Sequence, residues 1–307
     1  MPNFDVTFLA DDTDDEDLKA IFDQLRQLGF TATRVHPNSL SFDLVDNTVH
    51  IYCNSVRFES RLVVGWVFEK WLAPGAVILE MISAAGCRVL NQGPTLIAGQ
   101  NKALMSTKLV MHGVPHSDVF LSFSVEATEN WVELHQDEEY VSKPGFVNCG
   151  GLTVCASGQG ISRLFARELP SQHSALQNLG QPVYVQKFVR TLNPGELRVW
   201  VFGDDTWAAI AKKPRDGDWL TNTSRGATLT RVEVDREILD VSIRAARAIG
   251  AQLAGVDVVN TENGPIVFEV NTCPTFLPAR ELLGDDVPRK FAAFIARVLI
   301  DTQWRLT

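Results

Sequence analysis

Asp257, Glu269 and Asn271 are the residues whose types and spacing most invite chemistry. They lie in Gly255-Val-Asp-Val-Val-Asn-Thr-Glu-Asn-Gly-Pro-Ile-Val-Phe-Glu-Val-Asn271, where two apolar, β-branched runs flank Asn263-Gly264. A short Asn-Gly link between such runs predicts an antiparallel hairpin. With the turn centred on Asn263, Asp257 lies directly opposite Glu269, and Asn271 follows two residues on along the same face. Like charges directly opposite on a sheet repel, so the pair calls for a cation between its members. Hard oxygen donors suit Mg2+ or Mn2+, which keep open positions for water and phosphate. The other reading is a hairpin whose polar face looks at water, in a different register.

Cations gather upstream of this hairpin. Lys212, Lys213, Arg215 and Arg225 fall close together with Asn222 among them, and Glu196 and Arg198 share one face of the strand-like Glu196–Phe202. Each cation alone is ordinary surface. Together, just before a carboxylate pair, they point to an anionic ligand bridged to a metal. Asn148-Cys-Gly150-Gly151 is a glycine-containing link that reads either as a phosphate-covering loop or as a plain turn.

The elements that must position these groups follow from periodicity. Phe4–Ala10 alternates as a strand, the acidic Asp11–Asp17 reads as a solvated approach to a helix over Leu18–Leu28, and Gly29 stops that helix. Strands are expected around 31–35 and 40–52, a helical stretch at Gly65–Trp71, and no phosphate-binding glycine signature marks this first unit as a dinucleotide fold. Leu96–Met111 reads as one helix carrying Lys102 and Lys108. Strands are predicted at 119–123, 131–134, 183–189 and 206–211, and helices around Leu164–Leu169, over Val234–Ile249 and over Phe291–Ile300. The mostly apolar Val183–Val189 is a buried strand whose end could present backbone groups to a planar base.

Composition bounds the function. The 307 residues are enough for two or three domains, and a net charge of −9 argues against broad adhesion to nucleic acid or anionic membrane. Small-molecule partners are expected. Five cysteines without a Cys-x-x-Cys pair indicate neither a disulfide framework nor a zinc ribbon. The N-terminus lacks a signal-peptide pattern, and no run reaches the roughly 20 apolar residues a membrane helix needs. A cytoplasmic protein is expected.

Gly195-Glu-Leu-Arg-Val-Trp-Val201, Gly217-Asp-Trp-Leu-Thr-Asn-Thr-Ser-Arg-Gly226 and Ala254-Gly-Val-Asp257 through Glu269-Val-Asn271 resemble the ATP-grasp ligases. The similarity is strongest to the branch holding the RimK-type ribosomal-protein glutamate ligase and the LysX-type amino-acid ligases, over about 94–300. It implies an α/β (α+β) architecture: an N-terminal α/β pre-ATP-grasp domain (1–94), a central ATP-grasp lobe (95–189) and a C-terminal lobe with the metal site (190–307). It also implies that Lys102 and Lys143 contact ATP phosphates, that Gln186, Lys187, Phe188 and Val189 frame the adenine, and that Glu196 holds the ribose. Arg198, Lys213, Asn222 and Arg225 would face the phosphates and the reacting carboxylate, with Arg198, Lys213 and Arg225 as the catalytic cations. Asp257, Glu269 and Asn271 would bind Mg2+ or Mn2+, as two ions. Lys187 stands where an acidic residue is common, Lys213 where the glutamate ligase has arginine, and 145–151 is less glycine-rich than the family loop. Thr272-Cys-Pro-Thr-Phe276 keeps a proline but lacks the glycine of the glutamate-ligase pattern.

The chemistry so implied is ATP-dependent amide formation between a carboxylate and an amine through an acyl phosphate, with a small molecule, amino acid or peptide as substrate. A kinase that stops at phosphoryl transfer and a silent nucleotide-binding module are the alternatives. Nucleic-acid and membrane partners are not expected, and a homo-oligomer is left open.

Overall fold

A computed structural model describes residues 4–11, 15–143, 161–177, 181–192, 195–221 and 226–301. The chain begins with β1 (Phe4–Ala10), α1 (Asp15–Gln27) and β2 (Ala32–Val35). It continues through β3 (Leu40–Val45), β4 (Thr48–Cys53) and β5 (Val56–Arg57), then β6 (Ser60–Trp66), α2 (Leu72–Ala84) and β7 (Arg88–Leu90). Four of these strands form a parallel sheet in the order β2-β1-β6-β7, and β3-β4-β5 form a separate antiparallel ribbon. Helix cover explains why Val6–Ala10 and Leu62–Trp66 are buried without alternation. Gly65 ends a buried strand here and does not open a helix. A Cβ on it would sit 2.7 Å from Leu79 Cδ1 and 2.8 Å from Leu96 Cδ1, so this glycine serves close packing against both leucines.

The next stretch holds α3 (Gly93–Gln100), α4 (Lys102–Met111), β8 (Val119–Ser122), α5 (Val125–His135), β9 (Glu139–Ser142), β10 (Ser162–Phe165), α6 (Leu169–Gln177) and β11 (Val183–Lys187). The single helix expected over 96–111 is two. Asn101 leaves the helical region (φ −103°, ψ 106°), and its side chain caps Leu104 N–H at 2.9 Å, so Lys102 opens the first turn of α4. Residues 131–134, expected as strand, belong to α5: Ser124 caps Ala127 N–H at 3.2 Å, and Trp131 stacks on Phe120 and, one turn on, His135. Leu164 and Phe165, expected in a helix, close β10 instead, paired with Tyr140 and Glu139. The four strands run in the order β10-β9-β11-β8, all antiparallel.

The last stretch carries β12 (Glu196–Phe202), β13 (Asp205–Lys213), β14 (Thr228–Val232), α7 (Arg236–Ala248), β15 (Leu253–Thr261), β16 (Gly264–Asn271), α8 (Arg280–Leu283) and α9 (Asp286–Ile300). An antiparallel sheet, β14-β13-β12-β15-β16, buries one face under α7 through Leu197, Val199, Val201, Val256, Val258, Val267 and Val270. Near the chain's end, Phe291 of α9 packs on Phe202, Trp66 and Phe8, tying this sheet to the N-terminal one. Asp17, expected in a solvated helix start, is buried and accepts Phe276 N–H at 3.1 Å.

The β15–β16 hairpin differs in detail from its sequence pattern. Thr261 pairs with Gly264 and Val258 with Val267, so the turn is Glu262-Asn263, one step earlier than expected, and Gly264 comes next at φ 100°. That register alone would set Phe268 against Asp257. A bulge between Asp257 and Val258 takes up Phe268 as an extra residue, and Asp257 faces Glu269 while Gly255 faces Asn271.

Candidate functional site

Strand alternation sends the residues between the α7-facing valines to the opposite face, where cross-strand pairing lines them up. Lys212 pairs with Glu196, Arg198 with Asp257, and Asp257 with Glu269. Arg198 grips Asp257 with two prongs, Nε to Oδ1 at 2.6 Å and Nη2 to Oδ2 at 2.8 Å. Gly255 leaves room for that fork, since a Cβ there would lie 3.2 Å from Arg198 Cδ. Lys212 Nζ reaches Asp257 Oδ1 at 2.9 Å and also pairs with Glu196, whose other oxygen accepts from the Thr221 hydroxyl. Lys102, from the start of α4, pairs with Glu269 Oε1 at 2.5 Å.

These pairings set the charge states. Burial pushes the Asp257 carboxyl up, but the Arg198 and Lys212 cations more than offset it and hold the group well below the usual carboxylate range. Glu269 is likewise raised by burial and lowered further by Lys102, with a net shift downward. Burial lowers Lys212, and Asp257 and Glu196 more than restore it. All three therefore stay charged at neutral pH.

A second group faces them from β9 and β11. Lys143, directly after β9, donates to Gln186 Oε1 at 2.6 Å and lies 5.7 Å from the Phe268 ring centroid. Burial, with Lys102 nearby, brings Lys143 down to about 8. Gln186 is buried, and its Nε2 has no partner among the described residues. Lys187 and Phe188 N–H groups are spent on Asp118 O (2.8 Å) and Glu139 O (2.9 Å), and Lys187 O accepts from Ser117 Oγ at 2.7 Å. The Lys187 ammonium pairs with Glu138 at 2.6 Å, and Arg163 lies over the Phe188 ring at 3.8 Å. Val189, next in the chain, is half-buried.

The expected residues thus divide three ways. Lys102, Lys143, Gln186, Glu196, Arg198, Asp257, Glu269 and Asn271 converge. Lys213 does not: it shares strand parity with Ala211 on the α7 side and is exposed, and Lys212 takes the inward place. Counting parity along Ala209-Ile-Ala211-Lys-Lys213 is the signal that identifies Lys212. Asn222, Arg225 and the 145–151 loop lie outside the described residues. His116, Ser106 and Tyr184, which form a polar chain behind the site, carried no sequence signal of their own.

Among the described residues no group of three or more His, Cys, Asp or Glu is placed to hold a metal. The set here has two carboxylates and an amide. Asn271 commits Nδ2 to Gly255 O at 3.2 Å and Asp257 Oδ2 at 3.5 Å, and among the described residues Oδ1 has no partner. Such sparse, all-oxygen ligation fits Mg2+, which draws its other ligands from phosphate and water. Four cations (Lys102, Lys143, Arg198, Lys212) stand against three carboxylates (Glu196, Asp257, Glu269), a small positive surplus that a polyanionic ligand exceeds. A site of this kind can bind a nucleotide triphosphate with metal ions and stabilise charge moving onto a transferred phosphoryl group.

Comparison with known proteins bears on that reading. The family profile described as RimK-like ATP-grasp domain matches residues 99–295. A probable alpha-L-glutamate ligase 1 from Shewanella amazonensis is 32% identical over 142 residues, 45% of this chain and 47% of that protein. The match therefore spans about half the length of that relative. The ribosomal protein bS6–L-glutamate ligase of Escherichia coli O81 is 24% identical over 226 residues, 73% of this chain and 72% of that one. Among solved structures, the ATP-grasp ligase PsnB complexed with a minimal precursor has a TM-score of 0.72 at 17% identity, covering 96% of this chain and 98% of that chain. The architecture is shared. No helix among the described residues is long and apolar enough to cross a membrane.

Proposed function

The chain belongs to the RimK-like ATP-grasp family, and we propose that it uses that family's ATP-dependent carboxylate–amine ligation to join an amino acid to a peptide or to another small amine. The observation carrying this is the facing pair Asp257 and Glu269, held by cations on three sides on one sheet face. The relatives favour an amino acid and a peptide: one couples glutamate to a ribosomal protein, and another is seen with a precursor.

Asp257, Glu269 and the Oδ1 of Asn271 would hold Mg2+, as two ions. Bound there, the metal supplies charge neutralisation and orientation for the transferred phosphoryl group. Lys102 and Lys143 bind the phosphates, and Gln186 to Val189 frame the base, with the orphaned Gln186 Nε2 as a donor the ligand would satisfy. The substrate carboxylate attacks the γ-phosphorus, forming a C–O–P link as the bond to ADP breaks. The amine then attacks the acyl carbon, the C–N bond forms, phosphate leaves and the amine sheds a proton. Arg198 Nη1, which has no partner among the described residues, faces the resulting oxyanion. Lys212 takes the role expected of Lys213, and Asn222 and Arg225 complete the phosphate side. The division at 94 and 189 and a cytoplasmic location belong to the same proposal.

The test is ADP release across pairs of acids and amines, with mass spectrometry of the products. Release stimulated by a pair but by neither member alone, with free phosphate and an amide, supports ligation. A phosphorylated product without free phosphate would make the protein a kinase.

A further inference from the structure

Glu269 reaches the nucleotide face only because of the Phe268 bulge. Val267 and Val270 both point into the core under α7, so in a regular strand, with Phe268 in an ordinary position and no bulge, Glu269 would share the parity of Val267 and point into that core. β16 is an edge strand, so nothing within its own sheet holds the outer side of the bulge. The segment leading into β8 does so. Val267 N–H donates to Pro115 O at 2.9 Å, His116 and Val267 form an isolated parallel bridge, and His116 Nδ1 lies 2.6 Å from Val267 O.

A ring nitrogen facing a carbonyl must carry the proton, which leaves Nε2 of neutral His116 as an acceptor. At 2.8 Å it meets the hydroxyl of Ser106, in the middle of α4, and Ser106 in turn lies 2.8 Å from the Tyr184 hydroxyl on β11. Its neighbours continue the strap: Ser117 and Asp118 hold Lys187 at the end of β11. One half-buried imidazole thus joins the backbone just before the bulge to the helix that carries Lys102 and to the strand that carries Gln186.

We propose that His116 is a positioning residue for Glu269 and Lys102: it fixes the Val267 carbonyl at the foot of the bulge and, through Ser106, locks α4 to it. The proposal rests on Glu269 being a metal ligand. Groups that orient metal ligands from behind typically contribute about tenfold or more to metal affinity.

The experiment measures ADP affinity by calorimetry with Mg2+ and with EDTA, and takes the ratio as the metal-linked gain. For His116→Ala we expect that gain to fall about tenfold while ADP affinity in EDTA changes less than about twofold. His116→Asn, whose amide can donate to Val267 O from near the Nδ1 position, restores most of it. An unchanged gain in His116→Ala, or an equal loss in His116→Asn, overturns the proposal. If His116→Ala does not melt cooperatively, His116→Asn is set against His116→Gln, which places its amide near Nε2. A gain kept by the first and lost by the second supports the proposal, and equal gains overturn it. Glu269→Gln is the control. If that variant keeps the full gain, the metal assignment falls and this inference with it; if it loses the gain while His116→Ala does not, only the role of His116 falls.

Discussion

The two ends of the site are satisfied in different ways. At the β12–β16 end every carboxylate already has a partner: Asp257 is held by Arg198 and Lys212, Glu269 by Lys102, Glu196 by Lys212 and Thr221. At the β9–β11 end a half-buried ammonium, Lys143, leans on a neutral amide whose Nε2 has no partner among the described residues. A buried charge pair is costly to break, whereas a buried donor without a partner is completed by a ligand. The first end is built into the fold, and the second is left for the nucleotide. Damage at the first should appear in stability without any ligand; damage at the second should appear only in binding.

Arg198→Ala gives the largest stability effect. Asp257 is 3% exposed, so removing its two-pronged partner should cost about 3–5 kcal/mol in denaturant unfolding, nearer the lower figure because Lys212 remains. A loss under about 1 kcal/mol would mean that water already reaches Asp257 freely.

Gln186→Leu should reverse that pattern. Nucleotide-free stability changes by less than about 1 kcal/mol, because an unpaired buried group is removed along with the acceptor for Lys143. ADP affinity measured by calorimetry falls up to about tenfold, for a hydrogen bond of up to about 1.4 kcal/mol to the neutral base. A destabilised Gln186→Leu with normal ADP binding would erase the contrast.

pH separates the two ends again. Burial and Lys102 hold Lys143 near 8, below its unfolded value, so between about 8 and 10.5 the unfolded chain binds more protons than the fold. Stability from this group therefore rises with pH across that window. Nucleotide phosphates recharge the lysine, so ADP binding above pH 8 takes up a proton and weakens with rising pH, up to about tenfold per unit. Calorimetry in buffers of different ionisation enthalpy reads the uptake, and Lys143→Met should abolish it. The smallest effect is expected from Lys213→Ala, within about 0.5 kcal/mol and with near-normal ADP affinity, as suits an exposed side chain.

Legibility in the sequence divides along the same line. The facing of Asp257 and Glu269 was readable, but through a turn placed one residue late; Glu262-Asn263 forms the turn, and the Phe268 bulge makes up the difference. A bulge held from outside by Pro115 and His116 leaves no local pattern, so periodicity could not reveal it. Strand parity counted from Ala209 and Ala211 marks Lys212 as the inward lysine, whereas the family resemblance implies its neighbour Lys213. Trp131 to Leu134 has the β propensity of a strand, but the Ser124 cap starts a helix that runs through it, and the packing of Gly65 against Leu79 and Leu96 is a tertiary matter that no local pattern marks. Periodicity did carry the buried strands and the amphipathic helix α7, whose apolar face covers the sheet behind the site.

The most direct test of the central claim is ADP release by the native protein and by Glu269→Gln, with an acid and an amine supplied together and at saturating Mg2+. The account predicts release that needs both partners and falls on the order of 10²–10³ in the variant, with its thermal transition retained. Near-native turnover by Glu269→Gln would contradict the account, because Glu269 would then not belong to the metal end of an ATP site.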